Sequence, residues 1–155
     1  MFFATLTNVP IIGKLVRAIA NVYGKKMHGG YILTLEEVNK LIDKAQNIAL
    51  GPCRCRQVFK NCSNPVNTEI LIGQNIEVFS AFSPSNPRKI THEEAKRIIL
   101  DCHEKHLLHT LIRCKENYYA LCNCCSCCCV PLRLMNDYGI MHSLIRKKDI
   151  LMMDL

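Results

Sequence analysis

Six cysteines crowd into eight residues at Cys122-Asn-Cys124-Cys125-Ser-Cys127-Cys128-Cys129, followed by Val130 and Pro131. Core packing gives no reason for that arrangement. Thiolates so close together repel one another and invite oxidation unless something soft and positive holds them. Metal ions or iron–sulfur clusters do so, because a bound thiolate is deprotonated and shares its charge with the metal. Cys53, Cys55 and Cys62 form a smaller collection upstream, and the rest of the chain reads as a frame that brings both sets to one place.

Several spacings overlap in the run. Cys122, Cys125 and Cys128 form C-x2-C-x2-C, the first three positions of the bacterial ferredoxin run, but the fourth position is Leu132. Cys124 and Cys127 form a C-x2-C pair of the kind zinc sites use. On an extended backbone the thiols would instead sort by alternation, Cys122, Cys124 and Cys128 to one side and Cys125, Cys127 and Cys129 to the other. Either sorting leaves two sets of three, each one short of the four ligands a cubane takes, and the upstream cysteines can supply the rest. Nine thiols set against the eight ligand places of two 4Fe–4S clusters is a near match. One cluster with spare thiols, a larger bridged cluster, or zinc or copper are the alternatives. Arg54 and Arg56 flank the upstream pair and could offset a cluster's negative charge or donate to sulfur. Cys102 lies on an apolar helical stripe and reads as a small hydrophobe; Cys114 also stands apart. His103, His106 and His109 recur at three-residue spacing, which could make a metal-binding face but more often marks exposed or capping histidines; His109, nearest the cysteines, is the one candidate ligand among them.

The elements that must position these groups are legible in outline. Pro10 to Lys26 has apolar residues at helical spacing (Ile11, Ile12, Leu15, Val16, Ile19, Val22, Tyr23), with Lys14, Arg17, Lys25 and Lys26 off the stripe or just beyond it. The ordinary reading is a helix packed on the core or on a partner; the alternative is an interfacial membrane helix. Gly29-Gly30 then breaks the chain. Thr34-Leu-Glu-Glu37 is a capping box that opens a second helix to about Leu50, ended by Gly51-Pro52, so that Cys53 and Cys55 emerge from a helix end. Strands are expected at Thr68–Ile72 and 75–82, and a loop over 83–88. A second capping box at Thr91–Glu94 starts a helix to about His106. Two short strands, Thr110–Cys114 and Tyr118–Leu121, lead into the cysteine run, and an amphipathic piece from Leu132 to Tyr138 is closed by Gly139. Together these predict one helix-rich α+β domain with a small sheet. Residues 1–30 would be the amphipathic helix, 33–135 the metal-binding core and 136–155 a peripheral tail.

Composition narrows the setting. At 155 residues, 49% apolar and 21% charged, the chain suits one globular domain that buries roughly two-thirds of its unfolded surface. Eleven cysteines is an odd number, and adjacent cysteines make poor disulfide frameworks. With no signal-peptide pattern at the start, the thiols read as reduced in a cytoplasm. The net charge of +7 is diffuse and comes without a helix-turn-helix or aromatic platform, so nucleic acid is not an expected partner. No phosphate loop, nucleophile elbow or radical-generating cysteine triad stands out.

Gly51-Pro-Cys-Arg-Cys-Arg56, Cys62, Thr91-His-Glu-Glu-Ala95, Leu107-Leu-His109, Leu121 to Cys129 and Leu132 together resemble a family of 4Fe–4S-binding proteins of anaerobic bacteria and archaea. The resemblance spans roughly residues 33–135 and is carried mainly by the terminal cysteine run. In many members this region precedes a ferredoxin-type domain, which does not follow it here. The resemblance implies Cys53, Cys55, Cys62, Cys122, Cys124, Cys125, Cys127, Cys128 and Cys129 as ligands to one or two clusters, two fitting the count best. It also implies that Glu69 stands where members carry a further cysteine, leaving a carboxylate ligand or an open coordination place. The expected role is electron transfer or an accessory redox subunit with a redox protein partner, homo-oligomerisation and peripheral membrane contact being open. An enzyme with an open-coordination cluster, and a cluster scaffold or metal-trafficking protein, are the alternatives.

Overall fold

The computed structural model describes residues 7, 9–10, 12–73, 76, 87–115 and 117–147, the side chain of His28 excepted. The element order is α1 (Ile12–Lys26), β1 (His28–Ile32), α2 (Leu35–Lys44), β2 (Ile48–Pro52), α3 (Arg54–Phe59), β3 (Asn67–Ile72), β4 (Arg88–Lys89), α4 (His92–Glu104), β5 (Leu108–Cys114), β6 (Asn117–Cys124), α5 (Val130–Tyr138), a 3-10 turn (Met141–Ser143) and β7 (Leu144–Arg146). The fold class is α+β, as expected. The sheet is larger than the small one expected from the segment patterning, with seven strands ordered β4-β2-β3-β6-β5-β1-β7 among the described residues. All pairings are antiparallel except β1 with β7.

Alternation along the strands divides the core. Ile48, Ile70, Ile72, Leu111 and Leu121 face α2 and α4, which bury Val38, Leu41, Ile42, Ala95 and Ile99 against them. Ala49, Leu71, Ile112, Ala120 and Leu144 face the other way, where Leu132 and Met135 of α5 pack. Both capping threonines act as expected. Thr34 accepts from the Glu37 N–H at 3.2 Å and Glu37 accepts from the Thr34 N–H at 2.7 Å. Thr91 accepts from the Glu94 N–H at 3.2 Å. Each such cap contributes about 1 kcal/mol. Gly139, at φ 67°, closes α5 with its N–H on the Met135 carbonyl.

Three expectations about elements are corrected. The second helix stops at Lys44, and Ile48-Ala49-Leu50 is strand β2, buried on both faces. A continuous apolar run of that kind gives no period by which to tell strand from helix. Cys53 and Cys55 therefore leave a strand rather than a helix, past a register shift at Gly51/Pro52. Gly29-Gly30 lies within β1 instead of breaking the chain. Residues 144–146 of the expected peripheral tail form an edge strand, tied down where Arg146 donates to both Glu37 carboxylate oxygens at 2.7 and 2.8 Å. Residues 148–155, most of the 83–88 loop and most of the strand expected over 75–82 lie outside the described residues; Ile76, the one described residue of that strand, is buried and helical instead.

Candidate metal centre

Strand β6 carries Cys122 and Cys124 on one face, and the chain then turns sharply over 126–128, with the Cys129 N–H on the Cys125 carbonyl at 3.0 Å. That turn swings Cys125, Cys127 and Cys128 towards the loop that follows α3. This helix ends at Lys60 in left-handed conformation (φ 52°), which redirects the backbone to present Cys62. The sulfurs of Cys62, Cys125, Cys127 and Cys128 all lie within 4.8 Å of one another, a group that could hold a metal ion. Cys62 Sγ is 3.8 Å from Cys125 Sγ and 3.7 Å from Cys128 Sγ. Asn61 donates to the Cys127 carbonyl at 2.9 Å, which fixes the two loops to each other, and Asn64 donates to Cys62 Sγ at 3.5 Å within its own loop. Burial raises the Cys62 pKa, but the Asn64 backbone N–H and the neighbouring thiols outweigh it and bring the value down to about 7. Cys127 is pushed up to about 12, by burial and then by its hydrogen bond with Cys125. A metal entering this site would therefore displace protons, and its affinity would fall as the pH falls.

The other five thiols form a looser set around a cavity of about 980 Å³. Cys53 and Cys129 stand immediately before α3 and α5, and the Val130 N–H reaches Cys55 Sγ at 3.5 Å. These thiols perturb one another in sequence, Cys55 pushing Cys53 up, Cys129 pushing Cys55 up and Cys124 pushing Cys129 up. Cys122 completes the set, with Sγ 3.8 Å from Glu69 Oε1. Burial, followed by the charge of Cys53, pushes the Glu69 carboxyl up to about 7. The thiol of Cys122 is raised well above its ordinary value, first by burial and then by Glu69. Arg54, exposed at the start of α3, lines the same cavity, as do Tyr119 and Cys125, so the two sets of thiols adjoin.

Arg56 sits between them. It is buried, with only 2% of its surface exposed, and donates to the Pro65 carbonyl at 2.5 Å, to Thr68 Oγ1 at 3.0 Å and to the Asn123 carbonyl. Its Nε has no hydrogen-bond partner. Among the described residues no carboxylate pairs with this guanidinium; the groups that favour its charge are the thiols of Cys53, Cys125 and Cys102. A buried cation without a carboxylate calls for another anion. Thiolates ionised by a metal supply one from both sides, so the donor set fits a metal–thiolate group.

The observed sorting matches neither expected one. Cys62, Cys125, Cys127 and Cys128 group together, while Cys53, Cys55, Cys122, Cys124 and Cys129 form the other set. Alternation holds only to the end of β6; the turn then puts Cys128 with Cys125 and returns Cys129 to the Cys124 side. Cys102 is buried beside Cys125 and Cys128 but outside their group, its thiol pushed up to about 11 by burial. Cys114 is exposed at the far end of β5. His109 touches neither set. It pairs across the strands with Asn123, Nδ1 to Oδ1 at 2.7 Å, and Asn123 donates to the Thr68 carbonyl at 2.7 Å, which holds the peptide between Cys122 and Cys124. Asn61, Asn64, Thr68, Tyr119 and Asn123 went unnoticed in the sequence. Only the asparagines' adjacency to ligand cysteines could have signalled them.

No protein-family model matches the chain, and neither a curated protein nor a solved structure matches it.

Proposed function

We propose that the protein is an iron–sulfur protein carrying a cluster at each of its two thiol sets, and that it serves in electron transfer or as an accessory redox subunit with a protein partner. The observation that carries this reading is the division of nine thiols into four and five about one buried arginine. Each set meets the four-ligand requirement of a 4Fe–4S cluster, and the resemblance to 4Fe–4S-binding proteins of anaerobes supports the same cofactor. Such a group, when bound, takes up and releases single electrons. The chain's own part would be to fix the thiolates, keep water out with Leu107, Cys102 and Phe59 around the four-thiol set, and balance charge with Arg56.

A second reading of the four-thiol set rests on its spacing. A tetrahedral ion with sulfurs at about 2.3 Å has S···S edges of about 3.8 Å, which the Cys62–Cys128 and Cys62–Cys125 separations of 3.7 and 3.8 Å match, all four sulfurs lying within 4.8 Å. A cubane places each thiolate on a different iron and would need these loops to open. That favours a single zinc or iron ion there, with a cluster confined to the five-thiol set. The wider set favours an enzyme instead of a carrier to the extent that Glu69 and the cavity leave a coordination place open to a small molecule.

Anaerobic purification followed by counts of iron, zinc and acid-labile sulfide per chain tests these readings. Two 4Fe–4S clusters give about eight iron and about eight sulfide per chain, one cluster half of each. One tetrahedral ion plus one cluster gives metal in excess of sulfide. Zinc alone, or no metal, removes the iron–sulfur reading.

A further inference from the structure

Helix α1 turns the wrong side to the protein. Its large apolar residues Ile12, Leu15, Ile19, Val22 and Tyr23 are each 51–63% exposed, while the positions it buries are Gly13 and Gly24. Gly24 is seated so closely on the 3-10 turn that a Cβ there would come within 2.8 Å of the His142 carbonyl oxygen. The stripe that ordinary folding would bury is left facing outward, which corrects the expectation of a helix packed on the core. Something else must cover it.

Charge identifies what that is. The helix carries Lys14, Arg17, Lys25 and Lys26 and no acidic residue. At 100° per residue the exposed Lys14 and Lys25 fall off the stripe, so that a helix lying flat with its apolar side down would hold them above it at the level of charged groups, while Arg17 turns to the protein and donates to the Thr7 carbonyl at 2.8 Å. Packing two copies stripe to stripe would cover the apolar residues but leave these cations without anions, since neither helix carries a carboxylate. An acidic lipid surface offers both an apolar layer for the stripe and anions for the lysines. Among the described residues no helix is long and apolar enough to cross a membrane, so contact through this helix is with the surface. We infer that α1 is an interfacial anchor that seats the protein on an anionic lipid bilayer. Ile19 and Tyr23 belong both to the stripe and to the rim of the cavity beside the five-thiol set, so the seated protein holds that cavity against the bilayer.

The test is co-sedimentation of the full, metal-loaded chain with vesicles of phosphatidylcholine alone or mixed with phosphatidylglycerol. Binding is expected only to the anionic vesicles, and to fall as salt is raised past the point where the Debye length is about 10 Å. Leu15→Glu and Val22→Glu, both at exposed positions, should each weaken it roughly tenfold or more, with metal content unchanged. Val58→Glu, at an exposed apolar position on α3, should leave binding as it is. Equal binding to both vesicle types, no binding to either, or no effect of the two α1 variants overturns the inference. A wild-type dimer that Leu15→Glu converts to monomer, without vesicle binding, overturns it in favour of a second copy. The metal counts are independent of this outcome, so the anchor and the iron–sulfur reading fail separately.

Discussion

Replacing one ligand from each thiol set is the sharpest test of how the cysteines are divided. Cys62→Ser removes a sulfur from the four-thiol set and Cys129→Ser one from the five-thiol set. Serine oxygen is a poor ligand for a soft metal site at neutral pH. The binding free energy of a structural four-thiolate or mixed zinc site, about 10–16 kcal/mol, divides to roughly 2.5–4 kcal/mol per ligand. Losing one should therefore loosen metal by roughly 10²–10³-fold. The five-thiol set has a spare sulfur and Glu69, so Cys129→Ser should fall at the low end of that range and Cys62→Ser at the high end. Anaerobic reconstitution, followed by chelator competition with metal and sulfide counted per chain, reads both sites together. Each variant should lose one population and keep the other, and the double variant should show both losses added. Cys102→Ser, next to the four-thiol set but outside it, should keep all metal. If Cys62→Ser emptied both sites, or Cys102→Ser emptied either, the division into four and five would be wrong.

Arg56→Met should destabilise the metal-loaded protein by about 3–5 kcal/mol, the usual cost of breaking a buried charge pair, measured as denaturant midpoint. Arg56→Lys should recover little, since an ammonium cannot serve the Pro65, Thr68 and Asn123 acceptors at once. His109 is held below 6.5 by burial, partly offset by its bond to Asn123 and reinforced by His103. Because the folded pKa is the lower one, the stability that goes with a neutral ring is complete above the unfolded value and is lost as pH falls below it. His109→Gln, which can still donate to Asn123 but cannot take up a proton, should therefore be less stable than wild type at about pH 7.5. The gap should narrow towards about pH 5.5; thermal midpoints of the two proteins side by side check this, acid release of metal being common to both. Arg146→Ala should cost no more than about 1 kcal/mol, as befits a half-exposed ion pair. Hydrogen exchange should nonetheless quicken in β7 ahead of the other strands.

The cysteine run and the upstream trio pointed by themselves to a site that could hold a metal, because free thiolates at that density repel one another. The helix starts at Thr34 and Thr91 and the close at Gly139 were equally plain, each resting on a local hydrogen bond or a left-handed residue that depends only on near neighbours. The strand at Ile48–Pro52 was not, since burial on both faces erases the period that distinguishes strand from helix. Nor was Gly29-Gly30 within β1, where Gly30 leaves room for Leu144 and Ile112 to close over the backbone, nor β7, whose place depends on a parallel partner more than a hundred residues away. The division of the thiols was beyond the sequence for a similar reason. It depends on where one turn leaves strand β6, and that turn is fixed by Asn61 and Arg56 reaching across from another part of the chain. Spacing determined that sulfurs would crowd together in a set able to hold a metal; only the tertiary contacts of β6 and the turn after it with α3 and its following loop decided which sulfurs meet each other.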